Sequence, residues 1–233
     1  ETYAASNSKT VTVGPSQAGK IGVFRNGIWY LDANGDRVWS SGDLTASFGV
    51  SGDLPITGDW NGDGSDTVAV RDGRLFAFAD ANPASSAPKF TIGYGTPGDI
   101  VLVGDWDGDG KDTFAVRRGN EFHIRNSLTS GSADKIIAYG TPSDVVEVGD
   151  WDGDGNQDVL VGDYKGEFTV HLNKTANKDL KEPLSSEGAL VQVGSQKSFG
   201  QMSCPGLGDL NGDGLFDLLI GKSDGVIQVA YNK

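Results

Sequence analysis

Four nearly identical acidic segments recur along this chain of 233 residues. They occupy residues 58–64, 104–110, 149–155 and 208–214. Their first aspartates lie 46, 45 and 59 residues apart, at Asp59, Asp105, Asp150 and Asp209. Repetition at a nearly constant period of this size is typical of repeat architectures, in which each period forms one supersecondary unit. The repeat therefore restricts the possible folds more strongly than any local pattern does.

Each acidic segment is flanked by the same two features. An aromatic residue followed by glycine precedes it, at residues 48–49, 94–95, 139–140 and 199–200. A short apolar run follows it, at residues 67–70, 113–116, 158–161 and 217–220. After a glycine turn comes a further apolar run, as at 74–78 and 167–171. Short runs rich in β-branched and aromatic residues, with no sustained helical period, predict β-strands.

The beginning of the chain belongs to the same series. Tyr3 followed by residues 11–14 matches Tyr94 followed by residues 101–104, with one extra residue. The corresponding loop, residues 15–20, contains no carboxylate, so the first repeat has lost its acidic segment. Five repeats are therefore expected, starting near Tyr3, Phe48, Tyr94, Tyr139 and Phe199.

A unit of about 40–50 residues with four short strands predicts one blade of a β-propeller. The chain ends after the third strand of the last repeat, at residues 226–230, so that blade lacks an outer strand unless residues 2–5 supply it. We expect residues 1–233 to form a single all-β domain, a five-bladed β-propeller closed by its N-terminal strand. The alternative is part of a seven-bladed propeller. An insertion at about 173–198 is either a binding element or a tolerated loop.

The acidic segments carry oxygen ligands in the alternation that wraps a hard cation. Side chains at positions 1, 3 and 5 supply oxygens, glycine at position 6 allows the reversal, and position 7 offers a backbone carbonyl. The predicted ligands are Asp59, Asn61, Asp63, Ser65 and Asp66; Asp105, Asp107, Asp109, Lys111 and Asp112; Asp150, Asp152, Asp154, Asn156 and Asp158; and Asp209, Asn211, Asp213, Leu215 and Asp217.

The last residue of each set is a closing carboxylate. Asp158 and Asp217 stand at position 9, whereas Asp66 and Asp112 stand at position 8. Counting back from the next strand aligns all four, so the first two loops are expected to be one residue shorter and to use the same ligand.

Four calcium ions are the predicted occupants of these segments. Oxygen-only ligands disfavour zinc and copper, and magnesium demands stricter octahedral geometry. The alternative is that the Asp-Gly pairs merely form hairpin turns. Four copies at blade spacing argue against it, because the clustered carboxylates of each turn would repel one another without a cation.

Composition excludes several classes of function. Lys and Arg total 19 against 32 Asp and Glu, and a net charge of −13 argues against binding to nucleic acid or to an anionic membrane surface. No apolar run approaches the ~20 residues of a membrane helix. The single cysteine, Cys204, excludes an internal disulfide framework, and a buried or inert thiol is expected there.

Aromatic residues supply the remaining candidate sites. Trp60, Trp106 and Trp151 at position 2 of three loops favour packing between blades over sugar stacking. Trp29, Tyr30 and Trp39 form either a surface glycan or protein site or strand-core packing. His123 and His171 have no nucleophile at a recognisable motif, and no phosphate loop or nucleophile elbow occurs, so no enzyme activity is expected.

With its Asp-x-Asp/Asn-x-Asp-Gly loops and Phe/Tyr-Gly dipeptides, the chain resembles FG-GAP/VCBS-type repeat domains, the calcium-binding propeller repeats also found in integrin α-subunit heads. The resemblance implies an extracellular, calcium-stabilised scaffold for adhesion or for attachment to an enzyme. We therefore expect a monomeric, non-catalytic binding module of a larger exported or cell-surface protein. Its expected partner is a protein or glycan on a cell surface or matrix. The alternatives are a lectin-like propeller and an accessory domain of a secreted hydrolase.

Overall fold

The computed structural model describes residues 9–13, 20–36, 38–79, 88–173, 189–191, 197–201, 204–213 and 215–232. Within these ranges the chain forms nineteen β-strands and no helix, which confirms the predicted all-β class. Accordingly, no helix in this part of the chain is long and apolar enough to cross a membrane.

The strands form five antiparallel sheets, and in each sheet the neighbouring strands are consecutive in the chain. The first sheet contains β1 (Lys9–Val13), β2 (Lys20–Arg25), β3 (Ile28–Leu31) and β4 (Leu44–Ser47). The second contains β5 (Leu54–Gly58), β6 (Thr67–Asp72), β7 (Leu75–Phe78) and β8 (Phe90–Gly93). The third contains β9 (Ile100–Gly104), β10 (Thr113–Arg118), β11 (Glu121–Arg125) and β12 (Lys135–Ala138).

The last two sheets continue the pattern. The fourth contains β13 (Val145–Gly149), β14 (Asp158–Gly162), β15 (Phe168–His171) and β16 (Ala189–Leu190). The fifth contains β17 (Cys204–Gly208), β18 (Asp217–Gly221) and β19 (Ile227–Ala230). Residues 2–5, predicted to add a fourth strand, lie outside the described residues, as does most of the insertion at 173–198.

The chain divides into two compact units. The first comprises Glu1–Gly98 and Ser127–Ser132, and the second comprises Asp99–Asn126 and Ala133–Lys233. In the first unit, side chains of the first two sheets share one apolar core around Trp29 and Phe48. In the second unit, one core joins the third and fourth sheets and another joins the fourth and fifth. Each sheet is thus stabilised by the apolar surface that it buries against its neighbour.

The aromatic landmarks of the repeat perform one structural task in each of the first four sheets. The four described ones, Phe48, Tyr94, Tyr139 and Phe199, are buried. Their backbone N–H groups donate to carbonyls in the turn between the second and third strands, at Gly27, Arg74, Asn120 and Gly166, over 2.8–3.0 Å. The glycine after each landmark has a positive φ, which a residue with a side chain rarely adopts. The Phe/Tyr-Gly pair therefore anchors the chain where it leaves one sheet.

Gly166, in the turn between β14 and β15, provides a test of this packing. It has φ +78°, and a Cβ at this position would clash with the Gly200 backbone. Gly225 holds the equivalent turn between β18 and β19 with φ +84° but faces open space. We expect Gly166→Ala to lower the free energy of unfolding by more than about 2 kcal/mol, because strain and overlap add, and Gly225→Ala by about 1 kcal/mol. Urea denaturation measures both, and equal losses would contradict the proposed anchoring contact.

Candidate metal-binding loops

The four acidic segments join the first and second strands of the second to fifth sheets. We name them loop 1 (residues 59–66), loop 2 (105–112), loop 3 (150–157) and loop 4 (209–216). The residue before each loop pairs across the hairpin with the residue after it. The pairs are Gly58 with Thr67, Gly104 with Thr113, Gly149 with Asp158, and Gly208 with Asp217. All four loops therefore have the same length.

This register corrects one expectation from the sequence. Loops 1 and 2 are not one residue shorter than loops 3 and 4. Asp66 and Asp112 stand one position before the paired site that Asp158 and Asp217 occupy. In loop 1 the residue that pairs with the glycine before the loop is Thr67. The assignment of Asp66 and Asp112 as ligands remains a prediction, but they are not the positional equivalents of Asp158 and Asp217.

The first aspartate of every loop organises the turn through its carboxylate. One oxygen accepts the backbone N–H of position 5, at 3.1, 3.1, 3.0 and 3.2 Å in loops 1 to 4. The other oxygen accepts the N–H of position 6 in loops 1 to 3, from Gly64, Gly110 and Gly155. The position 1 carboxylate is thereby fixed inside the turn by backbone N–H groups of its own loop.

The aspartate at position 5 adds a second shared contact. Its Oδ1 accepts the N–H of position 7 over 2.9 Å in all four loops, from Ser65, Lys111, Asn156 and Leu215. In loops 1 and 4, where position 3 is asparagine, that amide also donates to the position 5 carboxylate over 2.9 Å. The same network in four loops shows that the repeat preserves a side-chain arrangement as well as a turn.

The closing carboxylates of loops 3 and 4 are buried, Asp158 to 2% and Asp217 to 0% exposure. Each accepts two backbone N–H groups. One comes from position 2 of its own loop, Trp151 at 2.8 Å or Leu210 at 2.9 Å. The other comes from the residue that follows the third strand by two positions, Asn173 or Asn232. Four backbone hydrogen bonds, two for each side chain, thus fix the buried carboxylates of Asp158 and Asp217.

In two loops the carboxylates lie close enough to share one ion. Oxygens of Asp105, Asp107 and Asp109 all lie within 4.8 Å of one another, and so do oxygens of Asp150, Asp152 and Asp158. Oxygens that bind calcium at 2.3–2.6 Å lie at such separations across the ion. The donor set contains only oxygen, so these residues fit a hard divalent cation.

The electrostatics of these clusters oppose full ionisation when no cation is present. Burial raises the pKa of Asp158 to about 6; the Asn173 and Trp151 amides lower it, and Asp152 and Asp154 raise it further. Burial also raises the pKa of Asp107, aided by repulsion from Asp109 and Asp105. A cation in either cluster would offset both the repulsion and the lost hydration.

A further acidic loop, which the repeat did not predict, lies between β3 and β4. Asp32, Asn34 and Asp36 alternate as the first three ligands of loops 1 and 4 do. Gly35 N donates to Asp32 at 2.8 Å, Asp36 N to Asn34 at 3.0 Å, and Val38 N to Asp36 at 2.7 Å. The motif was visible in the sequence, but it follows a third strand and therefore falls outside the phase of the repeat.

Asp43 stands where this further loop rejoins the sheet. Its Oδ1 accepts the N–H of Ala33, the position 2 residue, at 3.2 Å. Asp158 and Asp217 receive the position 2 amides of loops 3 and 4 in the same way. The first sheet thus carries a loop with this hydrogen-bonding pattern, although residues 15–20 lack carboxylates.

Of the position 2 tryptophans predicted to pack between blades, Trp106 and Trp151 lie at cores that join neighbouring sheets, whereas the ring contact of Trp60 is with its own sheet. Trp60 is buried, with its ring centroid 5.1 Å from that of Phe78, and Trp106 is buried in the core between the third and fourth sheets. Trp29 is also buried and donates from Nε1 to the Phe48 carbonyl at 3.0 Å. Trp39 differs, since it is 57% exposed and meets Tyr30 edge-on with centroids 5.6 Å apart.

The remaining reactive side chains lie apart from the loops. His171 is buried and stacks on Tyr139, with ring centroids 3.9 Å apart. His123 lies 3.2 Å from Glu121. Cys204 is exposed, so of the two expected alternatives, a buried or an inert thiol, burial is wrong and inertness stays a prediction.

Comparison with known proteins supports this reading of the repeats. Residues 150–220, which include loop 3 and loop 4, match the family described as FG-GAP-like repeat. The resemblance to FG-GAP-type repeats predicted from the sequence is therefore confirmed. No curated protein matches the chain.

Two solved structures resemble the fold. One shows an Agrocybe aegerita lectin that specifically recognises non-reducing terminal N-acetylglucosamine, with a TM-score of 0.63 and 17% identity over 98% of this chain. The other shows the Photorhabdus luminescens Tc holotoxin pore, with a TM-score of 0.61 and 14% identity over 97% of this chain. This chain spans 64% of the lectin chain and 11% of the toxin chain. At these identities the similarity concerns the fold.

Proposed function

We propose that this protein is a calcium-stabilised β-propeller module that binds a partner outside the cell and catalyses no reaction. In this proposal five blades form a ring closed by residues 2–5, and loops 1 to 4 each hold one calcium ion. The module belongs to a larger exported or cell-surface protein and is monomeric. The observation that carries the proposal is the network of hydrogen bonds that loops 1 to 4 share, together with the two clusters in which three carboxylates lie close enough to hold one ion, at positions 1, 3 and 5 of loop 2 and at Asp150, Asp152 and Asp158.

Charge supports calcium as a structural component. The chain carries a net charge of −13, and a large part of that charge lies in the loops. Four bound Ca²⁺ ions would reduce the net charge to −5 and would remove the repulsion within each turn. Extracellular calcium modules bind with Kd values of about 10⁻⁴–10⁻³ M, which matches calcium concentrations outside cells. One free cysteine leaves the fold without an internal disulfide, so calcium would take over the cross-linking role.

The fifth sheet supports closure by the N-terminal strand. In the described part of the chain this sheet has three strands, whereas each of the other four sheets has four. Its edge strand β19 exposes Ile227 and Val229, and Tyr231 follows with its ring exposed. An edge of this kind pairs readily with another strand. Residues 2–5 are the segment that the repeat provides for it.

Calcium titration tests the metal proposal directly. Isothermal titration calorimetry of the protein after dialysis against EGTA should reveal four sites, and Asp105→Ala or Asp150→Ala should each remove one. Trp39→Ala, which lies outside loops 1 to 4, is the matched control and should retain all four. A stoichiometry of five would add the Asp32 loop. The absence of binding heat, together with an unchanged tryptophan spectrum, would contradict the proposal.

Acidification from pH 7 to pH 5 should weaken calcium binding at loop 3 by about tenfold, because Asp158 has a pKa of about 6 and only its ionised form is a ligand. The folded-state pKa lies above the ordinary value of 3.8, so this group stabilises the calcium-free fold at low pH and loses that effect as the pH rises through 6. Titrations at both pH values measure the change. Asp158→Asn should abolish the pH dependence at loop 3, and a persistent tenfold change in that variant would contradict the assignment.

Glycan binding is a second candidate function, favoured by exposed Trp39 and the half-buried Tyr30 that it contacts. Their edge-on rings offer a platform of the kind on which sugars stack. A structurally similar lectin recognises terminal N-acetylglucosamine. We expect Trp39→Ala to abolish any glycan-array signal, whereas Trp60→Phe, a change to a buried ring, should preserve it. If no glycan binds the parent protein, a protein partner remains as the proposed ligand.

A further inference from the structure

Two asparagines occupy equivalent places in the second unit, each two residues after the third strand of its sheet. Asn173 follows β15 and Asn232 follows β19. Their backbone N–H groups donate to the closing carboxylates of their own sheets, Asp158 at 2.6 Å and Asp217 at 3.0 Å. Both asparagines are therefore fixed by the loop of the sheet to which they belong.

The side chains of the same asparagines reach the preceding loop. Asn173 Nδ2 donates to the backbone carbonyl of Trp106 in loop 2 at 3.3 Å. Asn232 Nδ2 donates to the carbonyl of Trp151 in loop 3 at 2.5 Å. Each accepting carbonyl belongs to position 2, between the first two ligands of its loop. One residue thus connects the closing carboxylate of one loop to the ligand-bearing backbone of another.

Further contacts join loop 2 to loop 3 and loop 3 to loop 4. Gln157 N of loop 3 donates to the carbonyl of Asp105 in loop 2 at 3.4 Å. Gln157, at position 8 of loop 3, packs on Gly104, the glycine before loop 2. Phe216, at position 8 of loop 4, packs on Gly149, the glycine before loop 3. Loops 2, 3 and 4 therefore form a continuous row within the second unit.

We infer that Asn173 and Asn232 are positioning residues that couple calcium binding in loops 2, 3 and 4. This inference rests on the proposed calcium function. A cation in loop 3 would hold Asp158, and Asp158 holds the backbone of Asn173. Asn173 in turn restrains Trp106, which lies between Asp105 and Asp107. Ordering one loop thus lowers the entropy lost when its neighbour binds, which is positive cooperativity.

The test is a double-mutant cycle read out by NMR. The backbone amides of Gly110 and Gly155 donate to the position 1 carboxylates of loops 2 and 3, so their ¹H–¹⁵N signals report calcium in each loop separately. Disabling loop 3 with Asp152→Ala should weaken calcium binding at loop 2 by about fivefold. In the Asn173→Ala background the same change should alter binding at loop 2 by less than about twofold.

Asn173→Ala suits this purpose because it removes the side-chain amide and leaves the backbone N–H that serves Asp158. Asn120→Ala is the matched control, since it also deletes an amide-to-carbonyl contact but lies outside the loops, and it should preserve the fivefold effect. Because Asn173 is 1% exposed, the cycle is repeated with Asn232→Ala, where Asp213→Ala disables loop 4 and Gly155 is the reporter. The Asn232 cycle gives the result if Asn173→Ala does not fold.

The possible outcomes distinguish the coupling between loops from calcium binding itself. If Gly110 and Gly155 both respond to calcium but disabling loop 3 leaves loop 2 unchanged, the coupling is overturned and calcium binding stands. Equal losses with and without the asparagine side chain also overturn the role of Asn173. If neither glycine signal responds to calcium, both the inference and the proposed function are overturned.

Discussion

Chelation of calcium with EGTA is expected to lower the melting temperature by about 10–20 °C. A site filled at ten times its Kd contributes about 1.4 kcal/mol by mass action, so four sites contribute about 5–6 kcal/mol. For a chain of this size, 1 kcal/mol shifts the melting temperature by about 2–4 °C. The effect is large because it approaches the whole net stability of many domains. Differential scanning calorimetry with calcium and with EGTA measures it.

Two controls make this result specific to calcium. Adding calcium in excess over EGTA should restore the original melt, and magnesium at the same concentration should restore only a small part of it. Limited proteolysis should cut within loops 1 to 4 in EGTA and not in calcium. An identical melt in both buffers would remove the structural role of the metal.

The largest effect of a single substitution is expected from Asp217→Ala. This buried carboxylate accepts the backbone N–H groups of Leu210 and Asn232. Removing it leaves two donors without their acceptor, at about 1–3 kcal/mol each, so a loss of about 2–6 kcal/mol in the free energy of unfolding is expected even in EGTA. Urea denaturation in EGTA isolates this term, because no calcium is then bound.

Asp213→Ala is the matched control for that experiment. Asp213 belongs to the same loop but is exposed; it accepts the Leu215 N–H and the side-chain amide of Asn211, and both donors can turn to water when it is removed. In EGTA its loss should cost less than about 1 kcal/mol, whereas in calcium both variants should lose the contribution of one site. If the two variants were equally destabilised in EGTA, Asp217 would have no structural role apart from the metal.

Much of the secondary structure could be predicted from the chain alone. The run predicted at 74–78 contains strand β7, and the runs after the acidic segments begin β6, β10, β14 and β18 at the predicted residues. These predictions succeeded because strand composition, turn residues and the repeated period all indicate the same strands. A strand that is ambiguous in one repeat can therefore be assigned from the matching residues of another repeat.

The closing residues of the loops show where sequence reasoning failed. Asp66 and Asp158 were aligned because both are acidic and both precede an apolar run. The pairing of strands places Thr67, not Asp66, opposite the glycine before the loop. Charge similarity in a sequence gives no measure of cross-strand register, which depends on hydrogen bonds between segments.

Contacts that join different repeats were also invisible in the sequence. The side chains of Asn173 and Asn232 donate hydrogen bonds to carbonyls of residues 67 and 81 positions away in the chain. Likewise, Trp29 and Trp39 lie ten residues apart in the same repeat, yet one is buried in the core and the other is exposed. Such outcomes depend on packing between sheets, so no local pattern carries them.

The central claim is that the carboxylate-rich loops are built to hold divalent cations. Crystals grown in millimolar CaCl₂, with data collected at a wavelength where calcium scatters anomalously, test it most directly. We predict anomalous peaks in loops 1 to 4, each about 2.3–2.6 Å from the oxygens at positions 1, 3 and 5. Loops without such peaks at that calcium concentration would contradict the account.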